Sequence, residues 1–233
     1  MAPGGSTSED AAHAEGTQPT GARCATVVPA RPIVFAGLEF ELSVHRPSGL
    51  LLRDIELVFR PGLDAACAAA GADYASKDAF LRARLLVVPL WQPAQQNLSV
   101  VRASVSVERR QLCANFARFA AALGAQLGGE WLDASDPRSG QAMFGAATTA
   151  TYNELDGLTQ CLKYSFEPFG CCGIVLHPRW GYNAYPVSMF TTAPLDALVA
   201  ALDATAALSE DEVARIAPVP ADGAAIAGDD ECA

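Results

Sequence analysis

The sequence predicts an α+β fold in which helices pack on an antiparallel sheet. Several short stretches are apolar at every second residue or without interruption, as strands are. One longer segment changes to the spacing of an amphipathic helix. Hydrophobic residues make up 51% of the 233 residues, which is enough for a sizeable core. Strands and helices in this mixture are typical of a sandwich of one sheet and its helices.

Three strands are predicted in the first half of the chain. The stretch 54–60 alternates, with Ile55, Leu57 and Phe59 on one face. The run 84–91 is continuously apolar and indicates a more buried strand. Its Pro89 is expected at a strand end or on a sheet edge, because proline donates no hydrogen bond. After a turn, 101–108 alternates again and is expected to pair with 84–91 as an antiparallel hairpin.

The second half begins with the clearest helix. Apolar residues recur on one side from Leu112 to Leu127, and two glycines follow. The segment 136–140, DPRSG, is typical of a turn. Two further strands are predicted over 162–177 and 184–192. A closing helix follows from Pro194, with Thr192 as the candidate N-cap.

The two ends of the chain differ in composition from the middle. Residues 1–32 hold almost no large apolar side chain, so they are predicted to be disordered. Residues 209–233 carry seven acidic side chains against Arg215 alone and are predicted to form a disordered acidic tail. The folded domain is therefore expected at 33–208.

Charge excludes some classes of partner. The net charge is −10 and the sequence pI is about 4.7, so no basic surface for nucleic acid or for an anionic membrane is expected. No apolar run reaches the roughly 18–20 residues of a membrane-spanning helix. The first residues lack the apolar segment of a signal peptide and carry acids that presequences avoid. A cytoplasmic location is expected, with a mitochondrial pool as the alternative.

Two neighbouring cysteines stand out in the stretch FGCCGIVLHPRWG, residues 169–181. On a strand, Cys171 and Cys172 point to opposite faces, so one is expected to be exposed. Gly170 and Gly173 flank the pair and favour close approach by a ligand. Burial of both thiols as small apolar side chains is an equally weighted interpretation. A disulfide between the two neighbours is disfavoured by its strained ring.

The residues alone leave several chemistries open. Cys171, Cys172 and His177 offer three zinc ligands, without a fourth nearby in sequence. His45 or His177 could pair with Cys171 in a cysteine hydrolase, although no protease signature surrounds them. No phosphate-binding glycine motif is present. The lack of an assembled acid, base and oxyanion site favours a carrier or an adaptor over an enzyme.

Two motifs in register resemble one family. The first is DPRSGQAMFG, residues 136–145, and the second is GCCGIVLHPRWG, residues 170–181, followed by SMFTTA at 188–193. Together they resemble the cobalamin-trafficking proteins of the methylmalonic aciduria and homocystinuria type D family. The resemblance is clear from about 131 to 193 and extends more loosely back to about 54.

The resemblance implies a fold, a role and a site. The fold would be a modified nitroreductase-like sandwich without flavin, with 33–208 as the cobalamin-trafficking domain. The protein would bind the cobalamin-loaded C-type processing protein and direct cobalamin toward methionine synthase, methylmalonyl-CoA mutase or both. Cys171 would offer its thiolate to cobalt, with Cys172 as a second candidate. Asp136, His177 and Trp180 would support the site.

Two rival interpretations remain beside this one. The first is an enzyme, either a thiol-dependent oxidoreductase or a degenerate flavin reductase. The second is a structural interaction protein in which Cys171 is inert. A soft thiolate suits a polarisable metal such as cobalt, which favours the trafficking interpretation.

Overall fold

The computed structural model of the protein describes residues 23–169 and 172–216, with the backbone alone at Phe169 and Cys172. Seven strands and seven α-helices lie within these residues. In chain order they are β1 (Ala25–Phe35), β2 (Leu38–Arg46), α1 (Gly49–Val58), α2 (Arg60–Ala69), α3 (Lys77–Arg84), β3 (Leu86–Pro93), α4 (Ala103–Gln126), β4 (Leu132–Ala134), α5 (Glu154–Cys161), β5 (Ser165–Phe169), β6 (Cys172–Leu176), β7 (Ala184–Thr191), α6 (Leu195–Ala206) and α7 (Glu210–Ile216).

Five of these strands form one antiparallel sheet, in the order β1-β2-β3-β7-β4. The other two, β5 and β6, pair with each other as a separate antiparallel hairpin. Helices pack against the five-stranded sheet. This confirms the predicted α+β class with an antiparallel sheet and packed helices. The likeness to a flavin nitroreductase stays a prediction.

The central strand β3 is buried on both of its faces. Leu86, Val88 and Leu90 belong to a first apolar core, which α4, α6 and α7 complete. Val87 and Trp91 belong to a second core, to which α1, α2, α3 and α5 contribute. Strands that are covered on both sides read as continuous apolar runs, which explains the pattern of residues 84–91.

The strand predicted at 54–60 is wrong, because this stretch lies mainly in α1. The buried residues of α1 are Leu51, Leu52, Ile55 and Val58, which form one face at helical spacing. Leu57, which the strand prediction buried beside Ile55, is 47% exposed. Three alternating apolar residues thus mimicked a strand within a longer helical pattern.

The strand predicted at 101–108 is also wrong, since α4 begins at Ala103. Val105 is buried, whereas Val101 is 97% and Val107 57% exposed. A strand would have buried all three together. The predicted hairpin with 84–91 is therefore absent, and β3 pairs with β2 and β7 instead. The helix predicted over 112–127 is confirmed as the C-terminal part of α4.

Three smaller predictions need correction. Pro89 lies inside a central strand; the β2–β3 register has pairs at Leu42–Leu90 and His45–Val87 and none at Pro89 itself. The predicted strand 162–177 is two strands, β5 and β6. The N-cap of α6 is Pro194, without a side-chain cap bond, and the predicted cap Thr192 is buried.

The folded region is wider than the predicted domain 33–208. Strand β1 begins at Ala25, and its first residues pair with the end of β2. Helix α7 covers 210–216 and buries Val213 completely in the first core. The disorder predicted for 1–22 and 217–233 lies outside the described residues.

Candidate functional site

His177 lies at the end of the β5–β6 hairpin strand β6, where it is almost fully buried. Its Nδ1 accepts hydrogen bonds from the backbone N–H groups of Arg179 and Trp180, at 3.2 and 3.3 Å. Nδ1 is therefore unprotonated, and the ring proton is assigned to Nε2. Nε2 then donates to the Glu41 carboxylate at 2.9 Å. This neutral histidine links the hairpin to β2.

The protonation state of His177 follows from its burial. Burial lowers the pKa of His177 below its ordinary value, and the Glu41 carboxylate offsets only part of this effect. The same Glu41 oxygen accepts a second hydrogen bond, from the Tyr164 hydroxyl at 2.9 Å. Burial and the Glu41 contact raise the pKa of Tyr164. Glu41 is thus the shared acceptor at the centre of a small polar network.

Aromatic rings enclose this network. Trp180 stacks on His177 with ring centroids 4.2 Å apart and an angle of 17° between the planes. The rings of Trp91 and Tyr164 also lie beside the imidazole, with centroid–centroid distances of 5.2 and 5.4 Å. Arg179 lies over the Trp180 ring and pairs with Glu39. The HPRWG segment is therefore clamped to the sheet at the base of the hairpin.

The hairpin itself extends from this clamp. Its outermost described pair is Phe169–Cys172, and residues 165–168 of β5 are exposed to solvent. The predicted ligand Cys171 and its neighbour Gly170 lie outside the described residues, as does the side chain of Cys172.

Gly173 has a packing role within the hairpin. A Cβ added at Gly173 would lie 2.0 Å from the Phe166 ring and 3.2 Å from a Leu155 methyl group. The missing side chain therefore lets the Phe166 ring lie across β6. This contact is internal to the protein, and the predicted approach of a ligand at Gly173 stays untested.

Asp136 organises a separate turn after β4. Its carboxylate accepts hydrogen bonds from the Arg138 backbone and guanidinium, at 2.9 and 3.0 Å. Burial opposes ionisation, but the hydrogen bonds from Arg138 lower the pKa of Asp136 below its ordinary value. The Asp136 carbonyl accepts from Gly140, which confirms the turn predicted at DPRSG. Asp136 holds a loop, and His177 holds the hairpin.

His45 contacts two hydroxyl groups, and its pairing with Cys171 in a hydrolase stays a prediction because Cys171 lies outside the described residues. Its two ring nitrogens contact the hydroxyls of Thr26 and Ser43, at 3.2 and 2.8 Å. It also lines a cavity that contains Cys24 and Cys161. Within 23–169 and 172–216, no three His, Cys, Asp or Glu side chains form a group that could hold a metal ion. The zinc interpretation involves Cys171 and so stays untested.

Sequence reasoning missed the residues that surround His177. Glu41 and Trp91 come from β2 and β3, Tyr164 comes from the segment between α5 and β5, and the three meet only in the tertiary structure. The stretch LEFELSVH alternates apolar and polar residues, with Glu41 on the polar face. The sequence therefore carried no signal that distinguishes Glu41 from a carboxylate exposed to solvent.

Comparison with known proteins now adds to this geometry. The family model for the methylmalonic aciduria and homocystinuria type D protein matches residues 34–202. This chain belongs to that family. The match includes the Glu41–His177 network, both quoted motifs and most of the sheet. It thereby confirms the resemblance found in the sequence.

Two curated relatives share about a third of their aligned residues with this chain. The chain is similar to the cobalamin trafficking protein CblD of Rattus norvegicus, with 33% identity over 115 residues. The CblD protein of Homo sapiens is 32% identical over 115 residues. These matches cover 48% of this chain and 39% of each relative. The chain thus spans about two-fifths of the length of the curated relatives that it matches.

A helix that crosses a bilayer has to be both long and apolar. No helix in the described ranges combines these two properties. The longest of them, α4, has 24 residues and carries the charged side chains of Glu108, Arg109, Arg110 and Arg118.

Proposed function

We propose that this protein is a cobalamin-trafficking adaptor that presents Cys171 as a thiolate ligand to cobalt. Family membership carries the proposal, because relatives in that family are named cobalamin trafficking proteins. The role is non-enzymatic: the protein receives and passes on cobalamin without transforming it. The cargo is held by a C-type processing protein when this protein binds. It then moves toward methionine synthase, methylmalonyl-CoA mutase or both.

The hairpin supports the assignment of Cys171. A ligand for a corrin held by another protein has to project from its own fold. The exposed residues 165–168 and the separate β5–β6 pairing describe such a projection. In the sequence, Cys171 lies between Phe169, which ends β5, and Cys172, which begins β6. Cys172 pairs with Phe169 in the ladder.

The clamp at the base supports precise presentation. A ligand group needs supporting contacts that fix its position. His177 ties β6 to Glu41 on β2, and Trp180 packs on the imidazole. His177 and Trp180 act as positioning groups and lie at the opposite end of β6 from Cys172. Along the hairpin, the Phe166 ring packs against Gly173.

The chemistry of the ligand is simple. The Cys171 sulfur must lose its proton before it donates an electron pair to cobalt, so coordination strengthens as pH rises toward the thiol pKa. A thiolate is a soft ligand that suits a late transition metal. The partner supplies the corrin, and this protein supplies one axial ligand.

A spectroscopic titration tests the proposal. The full chain, Cys171→Ser and Cys172→Ser are each added to cobalamin-loaded C-type protein, and the ultraviolet–visible spectrum is recorded. We expect a new cobalt–thiolate absorption with the wild type and with Cys172→Ser, and none with Cys171→Ser. The same pattern with the two variants exchanged would assign the ligand to Cys172 and contradict the proposal.

A binding measurement separates coordination from adaptor function. Calorimetry with the loaded C-type protein should show complex formation with the wild type and weaker formation with Cys171→Ser. If all three forms bind and none changes the spectrum, the coordination claim is wrong and the adaptor claim stands. If none binds, the adaptor claim is wrong as well.

A further inference from the structure

Two cysteines far apart in sequence meet beside a cavity. Cys24 precedes β1 and Cys161 ends α5, yet their sulfur atoms are only 3.1 Å apart. No covalent bond joins them. A disulfide has an S–S length of about 2.05 Å, so a shift of about 1 Å would join them. The cavity has a volume of about 300 Å³ and includes both residues in its lining. The structure thus holds a preformed dithiol pair.

The two thiols are not equivalent. Cys161 donates its S–H to the Cys24 sulfur. That hydrogen bond lowers the pKa of Cys24 below its ordinary value against the opposing effect of burial, and backbone hydrogen bonds from Ser48 and Cys24 add to it. The bond to Cys24 and burial raise the pKa of Cys161. The C-terminal end of a helix also disfavours a negative charge on Cys161. Cys24 is therefore the thiol that loses its proton more readily, and Cys161 is the hydrogen-bond donor of the pair.

The cavity suits a small anionic reactant. The charged residues in its lining are Arg23 and Lys163, which are both cationic. His45 also faces the cavity, and burial lowers its pKa to about 4, so it is neutral at physiological pH. Thr26, Ser43, Gln160 and Tyr164 complete the polar lining. Cationic side chains attract reactants that carry carboxylates.

We propose that Cys24 and Cys161 form a thiol–disulfide exchange site that reacts with small anionic disulfides of the glutathione type. Cys24 is the attacking residue and Cys161 is the resolving residue. The site uses neither Cys171 nor Cys172. It is therefore independent of the proposed coordination of cobalt.

The exchange balances in two steps. The Cys24 thiolate attacks one sulfur of the disulfide, a mixed disulfide forms and one glutathione thiolate leaves. Cys161 then attacks the Cys24 sulfur, its proton goes to the second departing glutathione thiolate, and the Cys24–Cys161 disulfide remains. The protein pair loses two electrons, and the small disulfide gains them as two thiols. Excess reduced glutathione reverses both steps.

Peptide mapping of the full chain tests this proposal. The reduced protein is incubated with oxidised glutathione, the remaining thiols are blocked with an alkylating agent, and disulfides are mapped by mass spectrometry. We expect a Cys24–Cys161 cross-linked peptide in the wild type. In Cys161→Ser and Cys161→Ala, the mixed disulfide should remain trapped on Cys24. Cys67 is also partly exposed and serves as the internal reference.

Both expected results are required. In Cys161→Ser, whose hydroxyl can still donate to the Cys24 sulfur, glutathione should reach Cys24 at least about tenfold faster than Cys67, because the reactive species is the thiolate. The absence of the cross-linked peptide in the wild type would overturn the proposal, even if either variant misfolds. Equal rates at Cys24 and Cys67 would overturn it as well. A Cys171→Ser protein should give the same cross-link, which separates this result from any failure of cobalt coordination.

Discussion

At the scale of single residues, buried ionisable groups decide how the stability of this protein depends on pH. The Glu154 carboxylate lies inside the protein, although the residue as a whole is partly exposed at the start of α5. Two fully buried hydroxyls donate to it, from Ser135 at 2.7 Å and Ser188 at 2.5 Å. Burial raises the pKa of Glu154, and these hydrogen bonds offset only part of the rise.

The first prediction concerns Glu154→Gln. The folded state holds the Glu154 proton more tightly than the unfolded state, so wild-type stability falls as pH rises from the ordinary value of 4.5 through the raised pKa. The variant has no such proton. Its free energy of unfolding, from urea denaturation at pH 4.5 to 8, should therefore increase relative to the wild type as pH rises. A constant difference across this range would contradict the prediction.

The second prediction concerns His177→Ala. This change leaves two backbone N–H groups without their acceptor, removes one of the two hydrogen bonds to Glu41 and opens a cavity beneath Trp180. We expect a loss of about 2–4 kcal/mol in the free energy of unfolding. Arg179→Ala is the matched control, because its exposed ion pair with Glu39 contributes less than about 1 kcal/mol. Equal losses in the two variants would show that His177 does not hold the hairpin to the sheet.

At the scale of elements, the local apolar pattern predicted strands at two places where the structure has helices, α1 and the start of α4. Ile55, Leu57 and Phe59 alternate, and so do Val101, Val105 and Val107, yet α1 and α4 bury only part of each set. Short windows do not separate a period of 2 from a period of 3.6. The turn at DPRSG was predictable because a glycine there meets a specific backbone requirement.

The third prediction concerns that turn. Gly140 has a positive φ of 69°, and a Cβ there would lie 2.6 Å from the Tyr152 carbonyl oxygen. Gly71 has a similar φ of 66° but open space around it. Gly71→Ala should cost about 1–2 kcal/mol of stability from backbone conformation alone. Gly140→Ala should cost at least about 1 kcal/mol more, as measured by chemical denaturation. Equal costs would mean that the turn around Gly140 shifts to make room for the added methyl group.

At the scale of the whole molecule, the sheet is completed by residues that composition assigned to the tails. The first part of β1 pairs with the end of β2, from Ala25–Arg46 to Val28–Val44. Val213 on α7 fills the first core beside α4. Both contributions come from segments with few large apolar residues.

The fourth prediction compares two shortened chains. A chain of residues 33–208 lacks the start of β1 and all of α7, whereas a chain of residues 23–216 keeps both. We expect the shorter chain to melt at least about 5 °C below the longer one, because a few kcal/mol of buried contacts and ladder hydrogen bonds are lost. Differential scanning calorimetry measures this. Equal melting temperatures would show that these end segments add no stability.

The sequence by itself determined the class of fold, the helix of 112–127, the DPRSG turn and the family. These features depend on local spacing or on residues that recur together in fixed order. Only the tertiary structure decided the strand order, the identity of α1 and the first part of α4, and the partners of His177. It also decided the meeting of Cys24 with Cys161, 137 positions apart. The physical reason is that burial and long-range pairing are properties of the packed chain, and local periodicity contains no record of which distant residue will cover each face.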